Sequence, residues 1–421
     1  MKILIKSARI TDNQSPHNNT SKDILISNGI IENIGTSITE PDAVLISAQE
    51  LHVSQGWVDF KSAFYDPGHE ERGGIQKGLD DLALGGFTHV GVLPTNSPTT
   101  DDKTSVEYKA RLANGHCVTL HPIGAVSKKQ EGKELAALFE MSQAGTQWFS
   151  DDEQPLNEGL LTRALLYSRD FNGRIIVSPR TKNFVMGAQV NEGLGSTRTG
   201  LKGAPAVDER VAILKGIEIA KYTDCPIHFN GISSASSLPL LSQAKTEGIK
   251  ISADVHLMNV CFTEDQILDF DTRFKVSPVL REEADRLALA QALDKELIDA
   301  LVLDHRPYVV DDKQVTFDEA EFGAPQATTA YPALLTKSGL SNDRIVHLLS
   351  IRNRETFGIK TNPIQIGSIA DLTCYSPSIE WQLPTSINDN ACNPFASTLL
   401  KGRAIAVINN GIAMINLHEN V

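Results

Sequence analysis

Eight short runs rich in apolar and β-branched residues end in, or lead into, side chains that carry charge or polarity, and those ends are where this chain could do chemistry. Lys61, Ala63 and Tyr65 follow the run 57–60, Thr95 follows 88–94, and Asp151 is the next-to-last residue of 146–152. Arg180 closes 174–180, His228 lies within 225–233, and Asp304, His305 and Arg306 end the run that starts at 299. Asp151 and Asp304 offer a proton-transfer base or, together, a weak site for a hard cation. A tight zinc site needs three or four donors, largely imidazole or thiolate. Lys61 is protonated and Ala63 has no donor, so these ends are poor in ligands. An ammonium can instead stand in for part of a metal's charge, which pairs Lys61 with Asp304.

Such ends converge only if the runs are parallel strands. Helix-period segments at 73–85, 131–141, 156–167, 207–220, 238–246 and 281–293 separate them, and strand–helix alternation implies parallel strands joined by crossovers. Eight units imply a closed (β/α)8 TIM barrel, with reactive groups at the C-terminal strand ends. The chain ends differ. Segments 2–11 and 23–34, the latter broken by Asn28-Gly29, and 369–375 and 404–415, broken by Asn409-Asn410-Gly411, predict hairpin strands. A small β-sandwich built from residues 1–54 and 363–421 would then flank a barrel domain at 55–362. Residues 12–21 predict a polar loop.

Composition narrows the partners. The 421 residues carry a net charge of -13, with no Lys/Arg block, which disfavours nucleic acid. No apolar run approaches the roughly 20 residues that span a bilayer, and the N-terminal apolar stretch is too short for a signal peptide, so a cytoplasmic protein without membrane contact is expected. The five cysteines are scattered without a C-x-x-C pair, which predicts reduced, mostly buried thiols.

Residues 57–68 read Trp-Val-Asp-Phe-Lys-Ser-Ala-Phe-Tyr-Asp-Pro-Gly, and this stretch resembles the first barrel strand of dihydroorotases, cyclic amidohydrolases of the amidohydrolase superfamily. There the pattern is Asp-x-His-x-His-x-Arg-x-Pro-Gly, with two histidines on zinc and the arginine on the substrate carboxylate. Asp59, Pro67 and Gly68 keep the frame, while Lys61, Ala63 and Tyr65 replace the three functional residues. The resemblance continues through Pro94-Thr95-Asn96, Phe149-Ser150-Asp151-Asp152, Val190-Asn191-Glu192-Gly193, the segment 275–281 and Leu303-Asp304-His305-Arg306-Pro307. It implies Asp151 as a former metal-bridging carboxylate and Asp304 as the retained catalytic base and metal position. It also implies Thr95, His305, Lys61 and Tyr65 as substrate-contact positions. The family's remaining metal histidines fall in Ser178-Pro179 and at Gly231. His69 or Glu70 could supply a compensating ligand.

Three readings follow. The resemblance implies a non-catalytic dihydroorotase homologue of pyrimidine biosynthesis, without zinc, that partners aspartate transcarbamoylase and/or a second copy of itself. An active cyclic amidohydrolase with an atypical metal site, binding zinc after all, is the second. A non-catalytic small-anion binder using Lys61, Tyr65, Thr95, Arg180 and Arg306 is the third.

Overall fold

The computed structural model describes residues 2–181, 184, 186–383 and 391–416; residues 384–390 and 417–421 of the expected terminal domain lie outside that range. Parallel strands β6 (Trp57–Ser62), β7 (Phe87–Val92) and β8 (Thr119–Pro122) form one ladder. Strands β9 (Trp148–Ser150), β10 (Arg174–Val177), β13 (Ile227–Phe229), β14 (Ile251–His256) and β15 (Ala300–Val302) form a second. Parallel bridges Gly124↔Phe149 and Ser62↔His305 join the two, so the pairing runs in a ring. Short β11 (Val190–Asn191) and β12 (Gly203–Ala204) pair above it.

Alternation of side chains sorts each strand into two faces. Val58, Phe60, Trp148, Ile176, Ala300 and Val302 fill the barrel, where Phe357 stacks on Phe60 at 4.3 Å between ring centroids. Their strand neighbours Trp57, Phe149, Ile175, Phe229, Val255 and Leu301 face the surrounding helices. Most of the apolar periodic segments form helices close to their expected spans, Gly74–Leu84, Glu158–Ser168, Ala206–Thr223, Leu238–Thr246 and Glu283–Asp294 among them. The segment 131–141 departs from expectation, since only Leu138–Gln143 is helical. Ahead of it the chain doubles back, with Lys128 N–H donating to Glu134 O at 3.0 Å and Ser127 bridging Leu135, so backbone pairing replaces the first turns.

The terminal strands join one sheet in the order β18 (Ile412–Ile415), β17 (Leu399–Asn409), β16 (Leu372–Gln382), β5 (His52–Gln55), β1 (Lys2–Ile10), β2 (Ser21–Ser27), β3 (Ile30–Gly35), with β4 (Val44–Ile46) on β1. Asn28 and Gly29, both at positive φ (49° and 77°), make the β2–β3 turn, as such a tight hairpin requires. The sheet's core is aliphatic, with Ile3, Ile5, Ile24, Val53, Leu372 and Ile408. Buried Arg354 ties it to the barrel floor, donating to Asp371 Oδ2 at 2.7 Å and to Gly56 O. All five cysteines are buried. No helix among the described residues is long and apolar enough to cross a membrane.

The seam between first and last strands is thin in ladder bonds and closed by side chains. Asn353 donates to Val58 O and Leu301 O at 2.8 Å and accepts from Leu301 N–H, while Asp59 accepts from Leu303 N–H at 2.8 Å. Asn353→Ala removes three buried hydrogen bonds at the seam, and a buried polar group left unmatched costs about 1–3 kcal/mol. Urea unfolding is expected to show a loss of about 2–4 kcal/mol, whereas a change under about 0.5 kcal/mol would refute the seam's role.

Candidate functional site at the barrel mouth

Strand β6 does not continue its alternation. Its register against β7 shifts between Asp59 and Ser62, and this bulge turns Lys61 into the barrel mouth while Asp59, accepting from Ser62 Oγ at 2.7 Å and from Leu303 N–H, stays in the seam. Burial raises the Asp59 carboxyl to about 6, against those donors. Lys61 is 2% exposed. Its ammonium donates to Asn230 Oδ1 at 2.5 Å and Glu153 Oε1 at 3.0 Å, and lies 3.6 Å from both Asp152 and Asp304.

Two arginines complete the arrangement. Arg306 donates to Asp304 Oδ1 at 2.9 Å and to both oxygens of Asp152 at 2.8 and 3.0 Å. Arg180 pairs with Glu153 Oε2 at 2.7 Å and donates to Ser277 Oγ, which itself donates to the same Glu153 oxygen. Asp152, Glu153 and Asp304 thus face Lys61, Arg180 and Arg306, three charges of each sign. Burial works against ionisation, but Arg306 and Lys61 hold Asp152 below its ordinary value, and Arg180, Lys61 and Arg306 hold Glu153 below its own. Burial likewise opposes the Lys61 charge, and Asp304, Glu153 and Asp152 overcome it, raising its pKa. Beside this network, Asp254 accepts from His228, from Asn230 at 2.8 Å and from Gly231 N–H at 2.6 Å. Burial and the Lys61 charge lower the His256 pKa.

Strand parity decides which expected residues arrive. Lys61, Asp304 and Arg306 meet at the centre, and Thr95 reaches it by donating to Asp152 Oδ2 at 3.1 Å. Asp151 does not: with Trp148 inside and Phe149 outside, it faces outward, accepting from Val126 N–H, Ser127 N–H and the Ser127 hydroxyl. Its neighbour Asp152 is the carboxylate at the mouth. His305 also points outward, its Nδ1 accepting from Gln326 and Ala327 N–H, and burial depresses it to about 3. That ring is 1% exposed and lies outside the mouth network. Tyr65 bonds Tyr308 Oη at 3.0 Å under Arg72. His228 is held between Ser252 and Asp254 inside the barrel. His69 and Glu70 remain in an outer loop, bonded to Glu71 and Gly68 N–H. The sequence reading missed Glu153 and Asp254: Asp254 stands where alternation from the outward Val255 places it, whereas Glu153 follows Asp152, at positive φ (54°), and leaves the alternation that Trp148 sets.

Zinc does not fit these residues. The ammonium occupies the ground between Asp152 and Asp304, and both carboxylates are already bonded to Arg306. At Gly231 (φ +77°) a Cβ would come within 2.9 Å of His256 Nε2, so even a restored ligand there has no room. No group of three His, Cys, Asp or Glu among the described residues has metal-binding geometry. A cavity of about 420 Å³ opens beside the network, lined by Arg180, Gly231, Ser233, Lys275, Ser277 and Arg281.

The closed parallel barrel with a sheet drawn from both termini has counterparts among solved structures. The fold superposes on L-hydantoinase (dihydropyrimidinase) from Arthrobacter aurescens with a TM-score of 0.83 at 21% identity, covering 100% of this chain and 97% of that one. A D-hydantoinase matches with a TM-score of 0.80 at 18% identity over 99% of this chain and 95% of that one. Residues 52–237 match the Dihydro-orotase-like family. Dihydroorotase of Ruminiclostridium cellulolyticum is 33% identical over 423 residues, 99% of each chain, and dihydroorotase of Geobacter sp. (strain M21) is 30% identical over 419 residues, 98% of each. This chain belongs to the dihydroorotase family.

Removing the central cation tests the network. Lys61→Met leaves three buried acids facing two arginines, and breaking a buried pair from one side costs about 3–5 kcal/mol. Asp152 and Glu153 have lowered folded pKa values, so their contribution is present above the unfolded value of about 4 and is lost as pH falls through the lower folded values. Without Lys61 they bind protons more readily. The variant's deficit in urea unfolding should therefore be largest near pH 8 and smaller near about pH 5. A pH-independent deficit would contradict the assignment.

Proposed function

We propose that this chain is a dihydroorotase-family protein that does not hydrolyse a cyclic amide and is retained as a structural partner of aspartate transcarbamoylase in pyrimidine biosynthesis. The observation that carries this reading is the Lys61 ammonium, bonded to Glu153 and Asn230 and set between Asp152 and Asp304. Hydrolysis of a cyclic ureide calls for an activated water and a polarised carbonyl. Here the retained base position, Asp304, is committed to Arg306 and Lys61, and no donor set for a Lewis acid accompanies it among the described residues. Loss of both functions removes most of the roughly 8–23 kcal/mol that enzymes supply. The partner is inferred from the family resemblance together with a fold kept intact around an altered site.

Two assays bear on this. Dihydroorotate, and carbamoyl aspartate in the reverse direction, should show no turnover above background; a kcat within the usual range of about 1–1,000 per second would establish the active enzyme instead. Mixed with aspartate transcarbamoylase from the same source, the protein should co-elute on size exclusion, and Asp304→Ala should co-elute equally. Separate elution of the unmodified proteins across several salt concentrations would remove the scaffold role.

A further inference from the structure

A cavity of about 510 Å³ lies at the far end of the barrel from Lys61, between the strand starts and the terminal sheet. That is within the size range of small-molecule pockets. Its inner wall is aromatic and held in place: Phe60 stacks on Phe357, and Trp148 meets Phe357 edge-on at 5.4 Å between ring centroids. Gln147, Lys360 and Asn410 are exposed at its rim.

A chain of hydrogen bonds runs into this cavity from the sheet. Arg354 donates to Asp371 Oδ2 at 2.7 Å, His89 Nε2 lies 2.9 Å from the same oxygen, and His89 Nδ1 lies 3.0 Å from His121 Nε2. Burial opposes ionisation of Asp371, but Arg354 and His89 hold its carboxyl below the ordinary value. A carboxylate only accepts, so His89 donates to it through Nε2. In the neutral relay His89 Nδ1 then accepts from His121 Nε2–H, and His121 Nδ1 keeps its lone pair. That nitrogen has no hydrogen-bond partner among the described residues, and it is open to the cavity. Burial, helped by His89 and Arg354, pushes the His121 pKa down to about 3, so the ring stays an acceptor at neutral pH.

Fastening the sheet to the barrel does not account for His121. Asp371 already accepts from Arg354, His89 and Thr88, and His121 makes no bond to the sheet. Beside it, Phe60 and Trp148 are apolar residues of the barrel interior. One imidazole acceptor set against an aromatic wall is complementary to an aromatic ring that carries a donor. We propose that this cavity binds small aromatic molecules bearing a hydroxyl or N–H donor, of the phenol or indole class, with the donor on His121 Nδ1. The site shares no residue with the mouth network, and the inference is independent of the transcarbamoylase reading.

Phenol and toluene have nearly the same shape and differ in the donor, so their comparison isolates the His121 bond. Titrated into the full chain at about pH 8, above the ordinary imidazole value of about 6.5, phenol should bind saturably and about fivefold or more tighter than toluene. In His121→Leu, checked for folding by circular dichroism, that preference should vanish or reverse. Crystals of the unaltered chain soaked with 4-bromophenol supply a measurement that needs no variant: the anomalous signal of bromine should fall in this cavity. Absence of saturable phenol binding, equal affinity for phenol and toluene, a preference that survives His121→Leu, or bromine found only at the mouth or on the outer surface would each overturn the proposal.

Discussion

A buried ammonium surrounded by three carboxylates organises the C-terminal mouth of this barrel. Taking a lysine charge out of water is costly, and only close counter-charges offset it. Glu153, Asp152 and Asp304 supply them, and Arg180 and Arg306 bring the sum to zero. The six participants come from four strand ends, so the network also staples β6, β9, β10 and β15 together at the mouth. The bulge in β6 is the geometric condition for all of it, because without that shift of register Lys61 would face the helices.

This arrangement separates fold from chemistry within one family. About a third of the residues are shared with dihydroorotases of full length, and the seam, the barrel interior and the terminal sheet follow from shared patterning. The mouth follows different physics: a fixed organic cation with hydrogen-bond donors pointing at carboxylates takes the ground where metal chemistry would need open ligand positions. At Gly231 the His256 ring crowds any added side chain.

Much of this was legible beforehand, for identifiable reasons. All eight barrel runs became strands because short β-branched segments between helical periods leave few alternatives, and Asn28-Gly29 and Asn410-Gly411 placed their hairpin turns. The pairing of Lys61 with Asp304 was one of two arrangements expected from the family resemblance, and the two groups lie 3.6 Å apart. What failed was facing. Asp151 and Asp152 are adjacent and chemically identical, and only the inward Trp148 fixes which of them reaches the mouth; the same parity sends His305 outward. Glu153 and Asp254 were passed over because neither falls on a familiar pattern, and the early part of 131–141 lost its helix to a backbone bridge between Ser127 and Leu135 that no local periodicity encodes.

The central claim, that Lys61 has taken a metal's place, is most directly tested by the zinc content of the native protein after equilibration with excess zinc and gel filtration. The account predicts well under one equivalent bound, unchanged by Asp304→Asn. One or more equivalents retained by the native chain and lost in Asp304→Asn would contradict it, because those carboxylates would then be holding a metal and not a lysine.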